Sequence, residues 1–110
     1  MRGSRPVYIH FADYKLKDEF TNLEKDNLKL YKFLNQAIDN LKQNPFHGVH
    51  IPKRLIPKIY IQKYGINNLW KCNLPDAWRL IYSIIGSEAD IIALLLEWLS
   101  HKEYERRFNY

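Results

Sequence analysis

Two apolar runs near the C-terminus, 77-AWRLIYSII-85 and 90-DIIALLLEWL-99, decide the fold of this chain. The residues between them, Gly86 to Ala89, suit a turn, so the two runs are predicted to form an antiparallel hairpin. Side chains alternate along an extended chain, so the even-numbered residues from Trp78 to Ile84 would share one face of the first strand. A sheet built on this hairpin needs further strands and a covering layer, and the rest of the chain predicts both.

The first half of the chain predicts one strand followed by two helices. Residues 7–11, VYIHF, are β-branched and aromatic, which is typical of a strand. Apolar residues then recur at spacings of three and four through residues 15–25, and again up to about residue 42, with Asp26 or Asn27 as the cap of the second helix. Asn44-Pro45 ends that helix, because the residue before a proline avoids helical dihedral angles.

The middle of the chain is ambiguous in one segment and clear in the next. Residues 56–64 fit a short helix between Pro57 and Gly65, although their alternation also fits a strand. Residues 69–74, LWKCNL, predict a strand, and Pro75-Asp76 predicts a turn. The predicted fold is therefore α+β: an N-terminal strand, a helical hairpin, and an antiparallel β-meander with helices packed on one face. The length of 110 residues fits a single domain over 1–110.

The composition predicts a folded chain of the cytoplasm. The longest apolar run, residues 91–96, is too short to cross a bilayer, and the start shows no signal-peptide pattern, so no membrane is expected as a partner. The single cysteine, Cys72, cannot form an internal disulfide, and its alternation with Trp70 and Leu74 predicts a small core residue. His47 and His50 have no cysteine or carboxylate nearby, so no metal site is expected.

The positive charge is unevenly distributed. The net charge is +5, and residues 40–75 contain no acidic residue. Converging cations would form a surface for a phosphate backbone or an acidic protein segment, whereas scattered cations would only be solvated. The candidate RNA-binding residues are Lys53, Arg54, Lys58, Lys63, Lys71, Arg106 and Arg107.

Groups able to carry chemistry follow the last predicted strand directly, in 100-SHKEYERRFNY-110. His101 and Tyr104 can transfer protons, and Arg79, inside the predicted sheet, can bind phosphate. Simpler roles also fit: Arg79 could pair with Asp90 or Glu97, His101 could be solvated, and Tyr104 could pack on the sheet edge.

The hairpin register predicts how far apart these groups lie. If Ile85 pairs with Asp90, Arg79 falls opposite Leu96, and His101 lies five residues further, about 17 Å along a straight strand. The two side chains could then act on one phosphate only if the chain bends back over the sheet after the last strand.

The order of these motifs resembles the RelE/ParE toxin superfamily. The matching features are Asn44-Pro45 with the following Phe46-His47-Gly48, 69-LWKCNL-74, 78-WRLIY-82 and the histidine after the last strand. Pro75-Asp76 followed closely by a tryptophan looks most like the YafQ-type branch. The chain departs from that branch where Cys72 or Asn73 stands in place of a strand histidine, and the Pro-Asp-Ala-Trp spacing holds one extra residue.

This resemblance implies a type II toxin that cuts ribosome-bound mRNA without a metal or other cofactor and is held inactive by a cognate antitoxin. It implies a catalytic set in which Arg79 binds the phosphate and His101 serves as acid or base. In the same set, Tyr104 stacks on a base or donates a proton, and Asp76 orients a histidine. For Asp76, initiation of the turn is the simpler role. Two other functions fit the same resemblance: a non-catalytic ParE-like inhibitor of DNA gyrase, and a degenerate member that only binds an antitoxin or RNA.

Overall fold

The computed structural model describes residues 5–109, which form a five-stranded sheet with helices on both faces. The elements, in chain order, are β1 Val7–Phe11, α1 Tyr14–Asp26, α2 Leu28–Gln43, β2 Val49–Ile51, α3 Lys58–Tyr64, β3 Leu69–Asn73, β4 Arg79–Gly86, β5 Ile91–Leu99 and α4 His101–Arg107. Single 3-10 turns occur at Lys53–Leu55 and Pro75–Ala77. The predicted α+β class and element order are confirmed, and the ambiguous segment 56–64 contains a helix.

The sheet has the strand order β1-β5-β4-β3-β2. Strands β2 to β5 pair antiparallel, as predicted for the meander, and β1 pairs parallel to β5. Strand β2 was not predicted from the sequence. It has only three residues, too few to show a periodic pattern, and it forms one edge of the sheet.

The helical hairpin packs on one face of the sheet. Its two helices begin at side-chain caps, because Asp13 accepts a hydrogen bond from the Leu16 amide and Asn27 accepts one from the Leu30 amide. Helix α2 then buries its apolar stripe against β3, β4 and β5. The buried side chains of this core are Leu30, Leu34, Ala37, Ile38, Leu41, Cys72, Leu80, Tyr82, Ala93 and Leu95.

The short helices α3 and α4 cover part of the opposite face, which the sequence did not predict. Tyr60 of α3 and Phe108, next to the end of α4, pack on Leu69, Ile81 and Leu96. Two covered faces explain why consecutive residues 80–83 of β4 are all buried. The centre of the sheet is therefore interior, and exposed side chains lie towards its ends and edges.

The predicted hairpin register is wrong, and the observed register places Arg79 close to the residues that follow β5. Gly86 pairs with Ile91 instead of Ile85 with Asp90, because Ser87 and Asp90 close the turn with a backbone hydrogen bond of 2.9 Å. An irregularity opposite Ile81 and Tyr82 shifts the pairing by one further residue. Arg79 therefore lies opposite Leu99 and not Leu96. The last paired residue is only two positions before His101.

Candidate functional site

Three polar side chains meet at the end of the sheet where β4 begins. Lys71 Nζ donates a hydrogen bond of 2.8 Å to the Tyr104 hydroxyl and lies 4.8 Å from the centre of its ring. The Arg79 guanidinium lies 5.1 Å from the centre of the same ring. Lys71 and Arg79 come from neighbouring strands, in which Lys71 pairs with Ile81 and Asn73 pairs with Arg79. Both side chains thus share the face that α4 covers.

Helix α4 holds Tyr104 in place from two directions. The Phe108 ring stacks on the Tyr104 ring with centroids 4.6 Å apart. At the start of the helix, the Ser100 side chain accepts a hydrogen bond from the Glu103 amide, and the Glu103 carboxylate accepts one of 2.8 Å from the Ser100 amide. That backbone hydrogen bond is the main reason why the pKa of Glu103 is lowered. The predicted bend of the chain after β5 is thus this capped helix.

Arg79 is half-buried and incompletely paired. Its Nη1 donates to the Trp78 carbonyl oxygen at 3.3 Å, whereas its buried Nε has no hydrogen-bond partner among residues 5–109. Glu97, considered above as a partner, binds Arg107 instead. A buried donor without a partner is costly, so the contacts of Arg79 satisfy its guanidinium only in part.

No contact among residues 5–109 joins the other two catalytic candidates, His101 and Asp76, directly to this cluster. His101 is the first residue of α4, is exposed, and lies 3.4 Å from the Glu105 carboxylate. Asp76 forms an ion pair of 2.9 Å with Lys29 on α2, the helix that packs on the opposite face of the sheet from α4. Asp76 and Ala77 both have left-handed backbone angles, with φ of 60° and 62°. The residue that reaches Arg79 is therefore Tyr104.

The predicted RNA-binding residues divide into three groups. Lys71 belongs to the cluster just described. Arg107 is neutralised by Glu97 and lies over the Tyr60 ring, 5.6 Å from its centre. The remaining residues, Lys53, Arg54, Lys58, Lys63 and Arg106, are exposed. The contacts of the described chain thus place one lysine of the predicted set beside Arg79 and Tyr104.

Sequence reasoning missed the roles of Lys71, Glu105 and Phe108. Lys71 was predicted to contact RNA, but not to hold Tyr104. The alternation of β3 and β4 carried a signal for this role, because it puts Lys71 on the same face as Arg79. The Ser-x-x-Glu pattern at 100–103 likewise indicated a helix start after β5.

Other reactive groups in the described residues are not arranged for catalysis. Cys72 is buried, and burial raises the pKa of its thiol to about 11, so it is a poor nucleophile near neutral pH. Within residues 5–109, no three His, Cys, Asp or Glu side chains are grouped to hold a metal ion. In the same range, no helix is long and apolar enough to span a membrane.

Comparison with known proteins identifies a structural relative. No protein-family model matches the chain, and no curated protein matches it in sequence. Among solved structures, the YoeB/ParE toxin from Agrobacterium tumefaciens superposes with a TM-score of 0.59 at 17% sequence identity. The match covers 86% of this chain and 98% of the toxin. At this identity the similarity establishes the fold alone, and the chain has a RelE-like toxin fold.

Proposed function

We propose that this chain is the toxin of a type II toxin–antitoxin pair and acts in the cytoplasm as a metal-independent endoribonuclease on ribosome-bound mRNA. The observation that carries the proposal is the convergence of Arg79, Lys71 and Tyr104 at one end of the sheet. The fold shared with a solved toxin structure and the acid-free stretch from residue 40 to 75 support the proposal.

In the proposed reaction, a ribose 2′-hydroxyl attacks the adjacent phosphorus atom and the 5′-oxygen leaves, which yields a 2′,3′-cyclic phosphate. Negative charge develops on the phosphoryl oxygens in the transition state. Arg79 would stabilise this charge with its planar guanidinium, whose Nη1 makes only a long hydrogen bond of 3.3 Å within the chain. The Lys71 ammonium group adds a second positive charge within the same cluster.

Tyr104 would supply the proton to the leaving 5′-oxygen. Its hydroxyl oxygen accepts a hydrogen bond from Lys71, so its own O–H remains available to a substrate. The ammonium group 2.8 Å away would stabilise the phenolate left after proton transfer. His101, one turn earlier on α4, would accept the proton of the 2′-hydroxyl, with Glu105 orienting its ring.

A cognate antitoxin is part of the proposal, because an uncontrolled ribonuclease of this kind would arrest its own cell. The antitoxin would be a partly disordered acidic segment that folds on binding to the exposed cations of the predicted RNA-binding set. Co-expression with the adjacent gene is expected to yield a stable complex.

The test compares the parent chain with Arg79→Ala on ribosomes programmed with a defined mRNA. Loss of the guanidinium should lower the cleavage rate by about 10²–10³-fold, as for loss of an oxyanion-stabilising donor. His101→Gln should lower the rate by about 10²–10⁴-fold, the range for loss of a general acid or base. Lys25→Ala, an exposed change on α1 outside the candidate RNA-binding set, serves as the control and should cleave close to the parental rate.

Two results would contradict the proposal. Equal cleavage by the parent and both variants would remove these residues from the reaction. Growth arrest without RNA cleavage, together with inhibition of DNA gyrase supercoiling by the purified chain, would favour the ParE-like alternative.

A further inference from the structure

A second aromatic cluster lies at the β2–β3 edge of the sheet. The Trp70 ring contacts the Phe46 ring, with centroids 5.6 Å apart, and the His50 ring, with centroids 4.9 Å apart. His50 and Trp70 are cross-strand partners. Phe46 is 51% exposed, His50 is also exposed, and Trp70 is half-buried. The cluster therefore presents ring surface to solvent.

The loop that carries Phe46 is held firmly in place. The Asn44 side chain accepts a hydrogen bond of 3.0 Å from the Phe46 amide. The Tyr82 hydroxyl accepts one of 3.1 Å from the Gly48 amide and donates one of 2.9 Å to the Pro45 carbonyl oxygen. A Cβ atom at Gly48 would lie 2.5 Å from that hydroxyl oxygen, so the backbone approach requires glycine. An exposed phenylalanine on a fixed loop is preorganised for binding, because little conformational entropy remains to be lost.

The charges near this cluster in the sequence favour a nucleic acid as its ligand. All three aromatic residues lie in the acid-free stretch of residues 40–75, together with the exposed Lys42, Lys53 and Arg54. Aromatic rings with neighbouring cations bind single-stranded RNA by base stacking and phosphate contacts. An acidic peptide would use the cations but would not require the flat ring surfaces.

The position of the cluster also suits a strand of RNA that extends from Arg79. Trp70 directly precedes Lys71 on β3, so their side chains lie on opposite faces of the sheet. At this edge the sheet ends with β2, which has three residues. An RNA strand could therefore pass from Lys71 around the short edge to Trp70.

We propose that Phe46, His50 and Trp70 form a stacking site for an unpaired base that flanks the phosphate bound at Arg79. This inference rests on the proposed ribonuclease function and adds a second contact region for its RNA substrate. The stacking site would contribute to substrate affinity, whereas Arg79 and Tyr104 would perform the reaction.

The experiment titrates the full chain with a short single-stranded RNA whose 2′-hydroxyls are methylated, so that it binds without being cut. Binding is followed by quenching of tryptophan fluorescence, because Trp70 lies within the cluster. Phe46→Ala and His50→Ala should each weaken binding by about fivefold to a hundredfold, the range for loss of one stacking interaction. Tyr14→Ala removes an aromatic ring that is 87% exposed at the start of α1 and should leave the affinity unchanged.

The outcomes separate this inference from the proposed reaction. If the two variants bind RNA more weakly than the parent, the stacking site is supported. If the parent at the same time cleaves no RNA, the proposed reaction is refuted. Parental affinity in both variants would overturn the stacking site, even if Arg79→Ala abolished cleavage. The stacking site would also be overturned if the parent bound no RNA, or if the variants lost affinity only for a poly-glutamate peptide.

Discussion

The substitution Tyr104→Phe tests the proposed chemistry most directly, because it removes one oxygen atom and retains the ring. The ring would keep its stacking on Phe108, 4.6 Å away, and its position 5.1 Å from the Arg79 guanidinium. The change would remove the hydroxyl that Lys71 holds at 2.8 Å. We therefore expect a large effect on cleavage and a small effect on folding.

The two effects differ in size by enough to be measured separately. A hydrogen bond to a charged group contributes about 1.5–3 kcal/mol, and the half-buried positions of Lys71 and Tyr104 reduce this to about 1 kcal/mol or less. That loss would lower Tm by a few degrees, at about 4–8 °C per kcal/mol in a chain of this size. Loss of a proton donor would lower the cleavage rate by about 10²–10⁴-fold, or about 3–5 kcal/mol in the activation barrier.

The assay measures single-turnover cleavage of ribosome-bound mRNA beside thermal unfolding of the same preparation. Tyr64→Phe is the matched control, since the half-buried Tyr64 hydroxyl donates only a long hydrogen bond of 3.4 Å to the Leu96 carbonyl oxygen. This control should cleave at the parental rate. If Tyr104→Phe also cleaves at the parental rate while Arg79→Ala does not, Tyr104 is not the proton donor.

Three further changes test the structure around the site. Gly48→Ala should destabilise the fold by about 1–3 kcal/mol in urea unfolding, because the new methyl group would overlap the Tyr82 hydroxyl, and unchanged stability would contradict the observed loop. The folded-state pKa of Glu103 lies below its ordinary value of 4.5, so its contribution to stability should be present at neutral pH and decline as the pH falls below that value. Glu103→Gln should reduce this pH dependence, with Ser100 still capping the helix, and an unaltered pH profile would rule out Glu103 as its source. Cys72 should react with a thiol reagent at pH 8 only on unfolding, because it is buried and its pKa is raised to about 11, and rapid reaction of the native chain would show that it is accessible.

The sequence by itself determined the elements whose signals are local. Helix α2 could be placed because its apolar stripe, the Asn27 cap and the Asn44-Pro45 stop all lie within or next to the helix. The strands β1, β3, β4 and β5 were recognisable from short apolar or alternating runs. These signals also determined the α+β class, because a helical hairpin and a meander must bury their apolar faces against each other.

Only the tertiary structure decided the hairpin register, the edge strand β2 and the composition of the site. A β-strand has a side-chain period of two, so its pattern tolerates the two-residue shift at the Ser87–Asp90 turn and does not reveal it. In the sequence, Arg107 and Lys71 were both predicted to bind RNA, and no local pattern distinguished them. In the structure, Arg107 is neutralised by Glu97, whereas Lys71 holds Tyr104. Lys71 and Tyr104 are 33 residues apart, and their contact depends on how α4 packs against the sheet. Such a contact follows from the positions of several elements together, and no single stretch of the sequence specifies it.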